Sequence, residues 1–506
     1  MLQNSIKPTN NSISARGLDS SWSMTDKEMN PSPEGADLNL QRFKLMVNDA
    51  AYTQWSYVNT ESKEEIPNTE LPSPLVNKWF HNDIIDFTTE EHPQVVKSPI
   101  RIASYIPGVL ILDGNRTYGR TKNGKRLLYK CIPDDKHLPY FMVPYDIKIT
   151  FSKCYINKYV LFRFEEWTTQ HPHGVLVETL GDVNKLEVFY EYQLYLKSLN
   201  SSLKEMNDKI NQMTKTKTLE EYFKEIQYNK NYKIRDTTIE PNPPQIFTID
   251  PKNTVDYDDG LSIDVCPKTQ DICVTVYITN VVFWLELFQL WNSFGNRIAT
   301  IYLPDRRRPM LPTILSESLC SLKEGTKRFA VAYHFYIKNG VIDDERTVIE
   351  NVLISPYKNY VYEENALIYQ DKNYIQLIEA TSGLDSHVKN SKEMVTYWMI
   401  KTNTHVAEYL FKNKTGIFRV SKYIRRTAGT FQELEKSESE MNEYAKLTKE
   451  ERQYLEYKVD AQSVSYSEGV ELGHELFSKS LYVRSTSVLR RYEDVCNMCM
   501  LLGLGL

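Results

Sequence analysis

The 506-residue sequence contains no apolar run of about 18 residues, the length a helix needs to cross a bilayer. Its N-terminus also lacks the basic-then-apolar layout of a secretory signal. Both absences argue against a membrane partner and point to a soluble intracellular protein, in the cytoplasm rather than the nucleus. Cysteine is scarce: the seven residues are scattered and odd in number, unlike a dense disulfide framework, which favours a reducing compartment. Cys496 and Cys499 form a lone CxxC pair with neither a second pair nor nearby histidines to complete a tetrahedral set, so no zinc is expected. An excess of positive charge is missing too. With 61 basic and 66 acidic residues the formal charge is -5, so any grip on nucleic acid must come from local patches.

Tyrosine, by contrast, is abundant, with 34 copies of a flat amphipathic ring that fills cores or stacks on bases. At 41% hydrophobic the chain buries substantial cores, and its length suggests roughly two to four compact units. Residues 1–95 read as a disordered or weakly structured arm, rich in Ser, Asn, Thr and Glu, particularly as far as Pro67. Residues 96–183 change to short β-rich runs separated by turn residues, the pattern of a small OB-like barrel. Within them Arg116, Arg120, Lys122, Lys125, Arg126 and Lys130 occur without one acid and are interleaved with Tyr118 and Tyr129. That composition suits a phosphate-tracking surface with stacking rings, or a solvated hairpin. His171 and His173 flank Pro172 in a turn ahead of a strand. Residues 184–240 read as a helical connector, and residues 241–506 alternate strands and helices as an α+β unit. The stretch Glu433 to Tyr457 is dense in Glu and Lys and reads as an exposed helix or insertion.

The densest chemical signal is FTIDPKNTVDYDDGLSIDV, where Asp250, Asp256, Asp258 and Asp259 fall within ten residues on a loop that feeds into an apolar-alternating strand. Adjacent anions repel, so such a cluster is costly unless solvent or a cation compensates it, and all-oxygen ligation suits Mg²⁺ or Mn²⁺. A calcium loop does not fit, because Gly260 comes one position early relative to Asp256 and position twelve is Pro267 instead of glutamate. An acidic surface turn accounts for Asp258 to Gly260 but not for Asp250 at an apolar strand end. Magnesium held by few carboxylates keeps positions open for phosphate and water, so the cluster suggests phosphoryl chemistry on RNA or DNA.

Here the chain resembles the RNase II/RNase R family, whose RNB domain carries T-I-D-P-x-x-A-x-D-x-D-D-A-L-S. The motif stands at Thr248 to Ser262 with Thr254 and Gly260 in place of the alanines. Further blocks follow in the family's order: TIYLPDRRRPMLPTILSESLCSLKEGTKRFAV at Thr300, NTHVAEYL at Asn403, GIFRV at Gly416 and HELFSKSLYVRSTSVLRRYEDV at His474. The resemblance covers about Pro241 to Val495, and the upstream β-rich segment is similar to the family's cold-shock-type domains. It implies an α+β, RNB-type catalytic domain behind an OB-like barrel, acting as a Mg²⁺-dependent hydrolytic 3′→5′ exoribonuclease. Its partner would be single-stranded RNA and its products nucleoside 5′-monophosphates.

Carried over by position, Asp250 and Asp259 would ligate metal, Asp256 would support that site, and Asp258 would be the acid most essential for cleavage. Arg490 would clamp the scissile phosphate, with Arg491 a structural partner that also belongs to the RNA site. Tyr302 would stack on the terminal base and Phe418 would form a second aromatic wall. Val488 replaces the family proline ahead of the arginine pair, which removes a backbone constraint from the clamp. The chain ends fifteen residues after Arg491, so no S1 domain is expected, and the residues before the barrel are too few for a PIN domain. An RNA-binding protein of the same fold without turnover is the alternative expectation.

Overall fold

A computed structural model describes residues 42–67, 72–87, 93–147, 155–265, 271–294, 298–425, 457–469 and 472–504. The acidic and basic stretch after residue 425 expected to form an exposed helix lies, apart from Tyr457, outside the described residues. The chain divides into two units, one within residues 23–201 and one formed by residues 202–506.

The first unit departs from the sequence expectation. The part of the expected arm before residue 42 lies outside the described residues, and the described residues between 42 and 97 are not weakly structured: they form a five-stranded sheet in the order β3-β2-β1-β4-β5, with β1 at Arg42–Val47, β2 at Trp55–Asn59, β3 at Glu65–Pro67, β4 at Ile84–Asp86 and β5 at Gln94–Lys97. The cause is the alternation in RFKLMV, which sends Phe43, Leu45 and Val47 inward to join Tyr57, Phe80 and Ile85. Next comes a closed barrel of β6 (Ile106–Leu110), β7 (Leu127–Pro133), β8 (Phe141–Tyr145), β9 (Lys158–Glu166) and β10 (His173–Asp182). Its strand β6 pairs with both β7 and β9, and β10 closes the ring by pairing antiparallel with β9 and parallel with β8. This is the five-stranded topology of an OB fold, as the turn-punctuated text suggested. At Gly108 a Cβ would stand 2.7 Å from the Ile132 carbonyl oxygen, so the close β6–β7 approach needs glycine.

The expected helical connector is divided between the units. Helix Leu186–Leu196 belongs to the first unit, whereas Lys204–Met213 and Leu219–Gln227 bury Met206, Ile210, Tyr222 and Ile226 in the core of the second. A capping box of Thr218 and Glu221 starts the last of these helices.

The second unit is built on a seven-stranded sheet of β11 (Arg235–Asp236), β12 (Phe247–Asp250), β13 (Asp259–Val265), β14 (Ile272–Thr279), β17 (Arg328–Lys338), β18 (Val341–Ile354) and β19 (Lys358–Val361), in the order β11-β18-β17-β14-β13-β12-β19. Between β14 and β17 lies a short hairpin of β15 (Ile301–Tyr302) and β16 (Arg307–Arg308). After β19, helix Ser391–Lys412 packs Met394, Trp398, Val406 and Leu410 into the core, and an antiparallel pair follows, β20 (Ile417–Arg425) with β21 (Tyr457–Ser465). Helix Tyr492–Leu501 inserts Val495, Met498 and Cys499 into the same core. Trp398 is fully buried and its indole N–H donates to Thr381 Oγ1 at 2.9 Å. Trp398→Ala therefore removes both apolar contact and a buried hydrogen bond, and should cost about 3–5 kcal/mol, read as a lowered urea midpoint of the second unit's transition.

Candidate active site

The topology of β12 and β13 explains why four aspartates that are close in sequence are also close in space. These strands pair antiparallel with Phe247 opposite Leu261. Continued toward the loop, that register sets Asp250 against Asp258, so the end of one strand and the start of the other bring Asp250, Asp258 and Asp259 together. The connecting loop is fixed from the neighbouring SLCSL segment. Ser321 Oγ donates to the Val255 carbonyl at 2.8 Å and accepts from the Tyr257 N–H at 3.0 Å, while the Leu322 N–H reaches the Tyr257 carbonyl. Thr254, one of the departures from the resembled motif, closes the turn through its hydroxyl on the Pro251 carbonyl at 2.8 Å.

Asp258 is the most firmly held of the four. One carboxylate oxygen accepts the Leu489 N–H at 2.8 Å and the other accepts Arg490 Nε at 3.0 Å. Burial pushes its carboxyl up to about 7, against the opposing pull of Arg490 and of the Leu489 N–H. Burial and the neighbouring Asp259 and Asp258 raise Asp250 as well, and its Oδ2 is buried without a hydrogen-bond partner. Asp259 is raised chiefly by burial, with Arg490 opposing. Asp256 instead meets Arg307 Nη1 at 2.5 Å.

The arginine segment is ordered without the family proline. Val488 is fully buried, the Ser487 N–H donates to Asp494 Oδ1 at 2.8 Å, and the Arg490 and Arg491 N–H groups return to the Ser487 carbonyl. Hydrogen bonds thus replace the lost ring constraint. Arg491 is engaged by Asp494 at 2.9 Å. The Thr300 N–H donates to the Arg490 carbonyl at 2.9 Å, so the strand leading to Tyr302 is tied directly to the arginine segment.

These pieces enclose a cavity of about 800 Å³ lined by the four aspartates, Tyr302, Arg307, Arg490 and Arg491, with Val395, Met399 and Asn403 from one face of helix Ser391–Lys412. Tyr302 is 59% exposed, so its ring is available to a ligand. Phe418 is not. Strand alternation turns it inward with Val420, it is fully buried against Phe411 and Tyr466, and the expected aromatic wall is corrected accordingly. Besides Tyr302, aromatic surface in the cavity comes from Tyr362, Phe477 and Tyr482. Asn403 holds that side: its amide N–H₂ donates to Tyr482 and Thr486, and its carbonyl accepts from Ser485. Asn403 opens the NTHVAEYL block and Arg307 lies in the DRRRP run, so both stood inside recognised motifs without a role; nothing in the sequence singles out Tyr362.

In the barrel, the basic stretch is exposed but partly paired: Lys122 contacts Glu166 at 2.6 Å and Arg126 contacts Asp146 at 3.0 Å. Arg120 donates to the Gly124 carbonyl, and Arg116 lies over Tyr118.

The acids suit a hard cation on chemical grounds, since a buried carboxylate oxygen of Asp250 lacks a partner beside a second buried acid. Among the described residues, however, no group of three or more His, Cys, Asp or Glu side chains is gathered to hold an ion. Asp256 and Asp258 are turned toward arginines, which leaves Asp250 and Asp259 as the pair open to one. The raised acids set a pH dependence. Each binds a proton more tightly folded than unfolded, so its contribution is full below the ordinary carboxylate range and is lost as pH rises through the folded value. With chelator present, the melting temperature of the second unit should fall by several degrees between pH 5 and about pH 8, and Mg²⁺ should reduce that fall; a flat profile contradicts the burial of these acids.

Residues 231–386 match the family model described as RNB domain. The chain is 36% identical over 148 residues to exoribonuclease 2 of Psychromonas ingrahamii, a match covering 28% of this chain and 22% of that protein. It thus spans under a quarter of that curated relative's length. In three dimensions it resembles Mycoplasma genitalium RNase R in complex with ribose-methylated single-stranded RNA, with a TM-score of 0.60 and 17% identity, covering 91% of this chain and 78% of that one. It also resembles yeast Ssd1, a pseudonuclease, with a TM-score of 0.54 and 13% identity over 93% of this chain and 71% of that one. At these identities the structural likeness establishes the fold.

Proposed function

We propose, from the RNB-domain match over residues 231–386 and the partial likeness to exoribonuclease 2, that the chain is an RNase II/RNase R-type, divalent-metal-dependent hydrolytic exoribonuclease. It shortens single-stranded RNA from the 3′ end and releases nucleoside 5′-monophosphates. The observation that carries this reading is the convergence, in one cavity, of the buried acids, the Arg490 guanidinium on Asp258, and the half-exposed Tyr302 ring.

Tyr302 stacks on the terminal base, an interaction worth about 1–3 kcal/mol and tolerant of sequence. Arg490, held at Nε by Asp258, presents the rest of its planar fork to the scissile phosphate and stabilises the charge that develops there. Asp250 and Asp259 would hold a hard divalent cation, Mg²⁺ or Mn²⁺, which when bound would supply charge neutralisation and Lewis-acid activation. Water attacks phosphorus in line, the bond from phosphorus to the upstream 3′ oxygen breaks, and that oxygen leaves protonated as the new 3′ hydroxyl. Asp258 orients the arginine against this phosphate. In the barrel, Arg116, Arg120, Lys122 and Arg126 offer a cationic surface to the RNA backbone.

A second reading, an RNA-binding protein of this fold without turnover, is favoured by the two acids already engaged by arginine. End-labelled single-stranded RNA with Mg²⁺ separates the two. The nuclease reading expects immediate mononucleotide release from 3′-labelled RNA and a progressively shortening ladder from 5′-labelled RNA; bound but intact RNA, or internal cuts, contradicts it. Asp258→Asn should lower kcat by at least about 100-fold while leaving RNA affinity within a few-fold. Tyr302→Ala should weaken binding of the 3′ end by about 1–3 kcal/mol, measured by fluorescence anisotropy.

A further inference from the structure

The four aspartates are not equivalent. Asp258 is satisfied by the Leu489 N–H and Arg490, and Asp256 by Arg307 at 2.5 Å. Asp250 keeps a buried oxygen with no partner. Arg307 lines the same cavity, and its second terminal nitrogen donates to Glu317, so the guanidinium is braced between two carboxylates. Its backbone is equally constrained, because Arg307 pairs with Tyr302 across the β15–β16 hairpin. A guanidinium and a divalent ion compete for one carboxylate: an ion bonds oxygen at about 2.0–2.1 Å, which would place two cationic centres on a single acid.

Resting on the metal-dependent reading above, we propose that Arg307 is a built-in counter-cation of the acid cluster. It withholds Asp256 from the metal shell and limits the site to one divalent ion, held by Asp250 and Asp259. Arg307 is thus a positioning residue, acting through Asp256 on the number of ions bound.

The test counts Mn²⁺ bound to the full chain by electron paramagnetic resonance of the free ion, without RNA. Wild type should bind one ion. Arg307→Ala, which releases Asp256, should bind a second or bind the first about tenfold or more tightly. Arg307→Lys, which keeps the charge, should retain the wild-type count. Arg306→Ala removes the same charge from the same hairpin and should also leave the count at one. Two ions on wild type, an unchanged count and affinity in Arg307→Ala, or equal gains in Arg306→Ala would each overturn the proposal. Should circular dichroism show Arg307→Ala unfolded, Asp256→Asn decides: one ion retained supports the proposal, and loss of the ion refutes it.

Failure here and failure of the nuclease reading are distinguishable. A wild type that binds one Mn²⁺ but leaves RNA intact keeps the counter-cation and removes the enzyme, whereas active enzyme with two ions does the reverse. A wild type that binds no ion overturns the one-ion site and the proposal with it.

Discussion

Asp258 and Arg490 are separated by 232 positions in sequence, and their contact organises the candidate site. The acid binds both the guanidinium and the neighbouring backbone N–H, and its own carbonyl accepts from the Thr279 N–H, so it joins the start of β13, the end of β14 and the arginine segment. Through the Thr300–Arg490 backbone bond the same web reaches the hairpin that carries Tyr302. Asp258 is buried whereas Arg490 is half exposed, so losing the arginine strands a buried carboxylate, while losing the acid frees a guanidinium that solvent already screens. Position and charge are therefore set by one contact, and the cavity inherits both.

Electrostatics explains why this arrangement suits a phosphate-handling site. Carboxylates buried together at a sheet end are unfavourable in isolation, which is why Asp250, Asp258 and Asp259 all hold protons more tightly than usual. Two guanidiniums relieve part of the repulsion and leave Asp250 unsatisfied. The remaining demand is for a cation. Val488 does not upset this balance, because Asp494 and the Ser487 carbonyl hold the turn that a proline would otherwise stiffen.

The sequence disclosed the parts governed by local rules. Turn-punctuated β runs gave the barrel, and the spacing of the aspartates around a strand end gave the acid cluster. Contacts between distant segments stayed hidden. Arg307 stood among three consecutive arginines, and only the hairpin register decides which of them faces Asp256. Phe418 occupied a recognised block, yet its burial depends on which face of β20 meets helix Ser391–Lys412, a property that motif matching does not carry. The first sheet escaped notice because its alternation is brief: six residues of RFKLMV sit in polar text, and their buried partners, such as Phe80 and Tyr57, come from separate segments.

Hydrolysis at the RNA 3′ end is the central claim, and isotope transfer tests it most directly. Digestion of single-stranded RNA in ¹⁸O-enriched water with Mg²⁺, followed by mass spectrometry, should yield nucleoside 5′-monophosphates carrying one solvent oxygen on phosphorus per cleavage. Unlabelled 5′-monophosphates, 2′,3′-cyclic phosphates, or RNA recovered intact would contradict it.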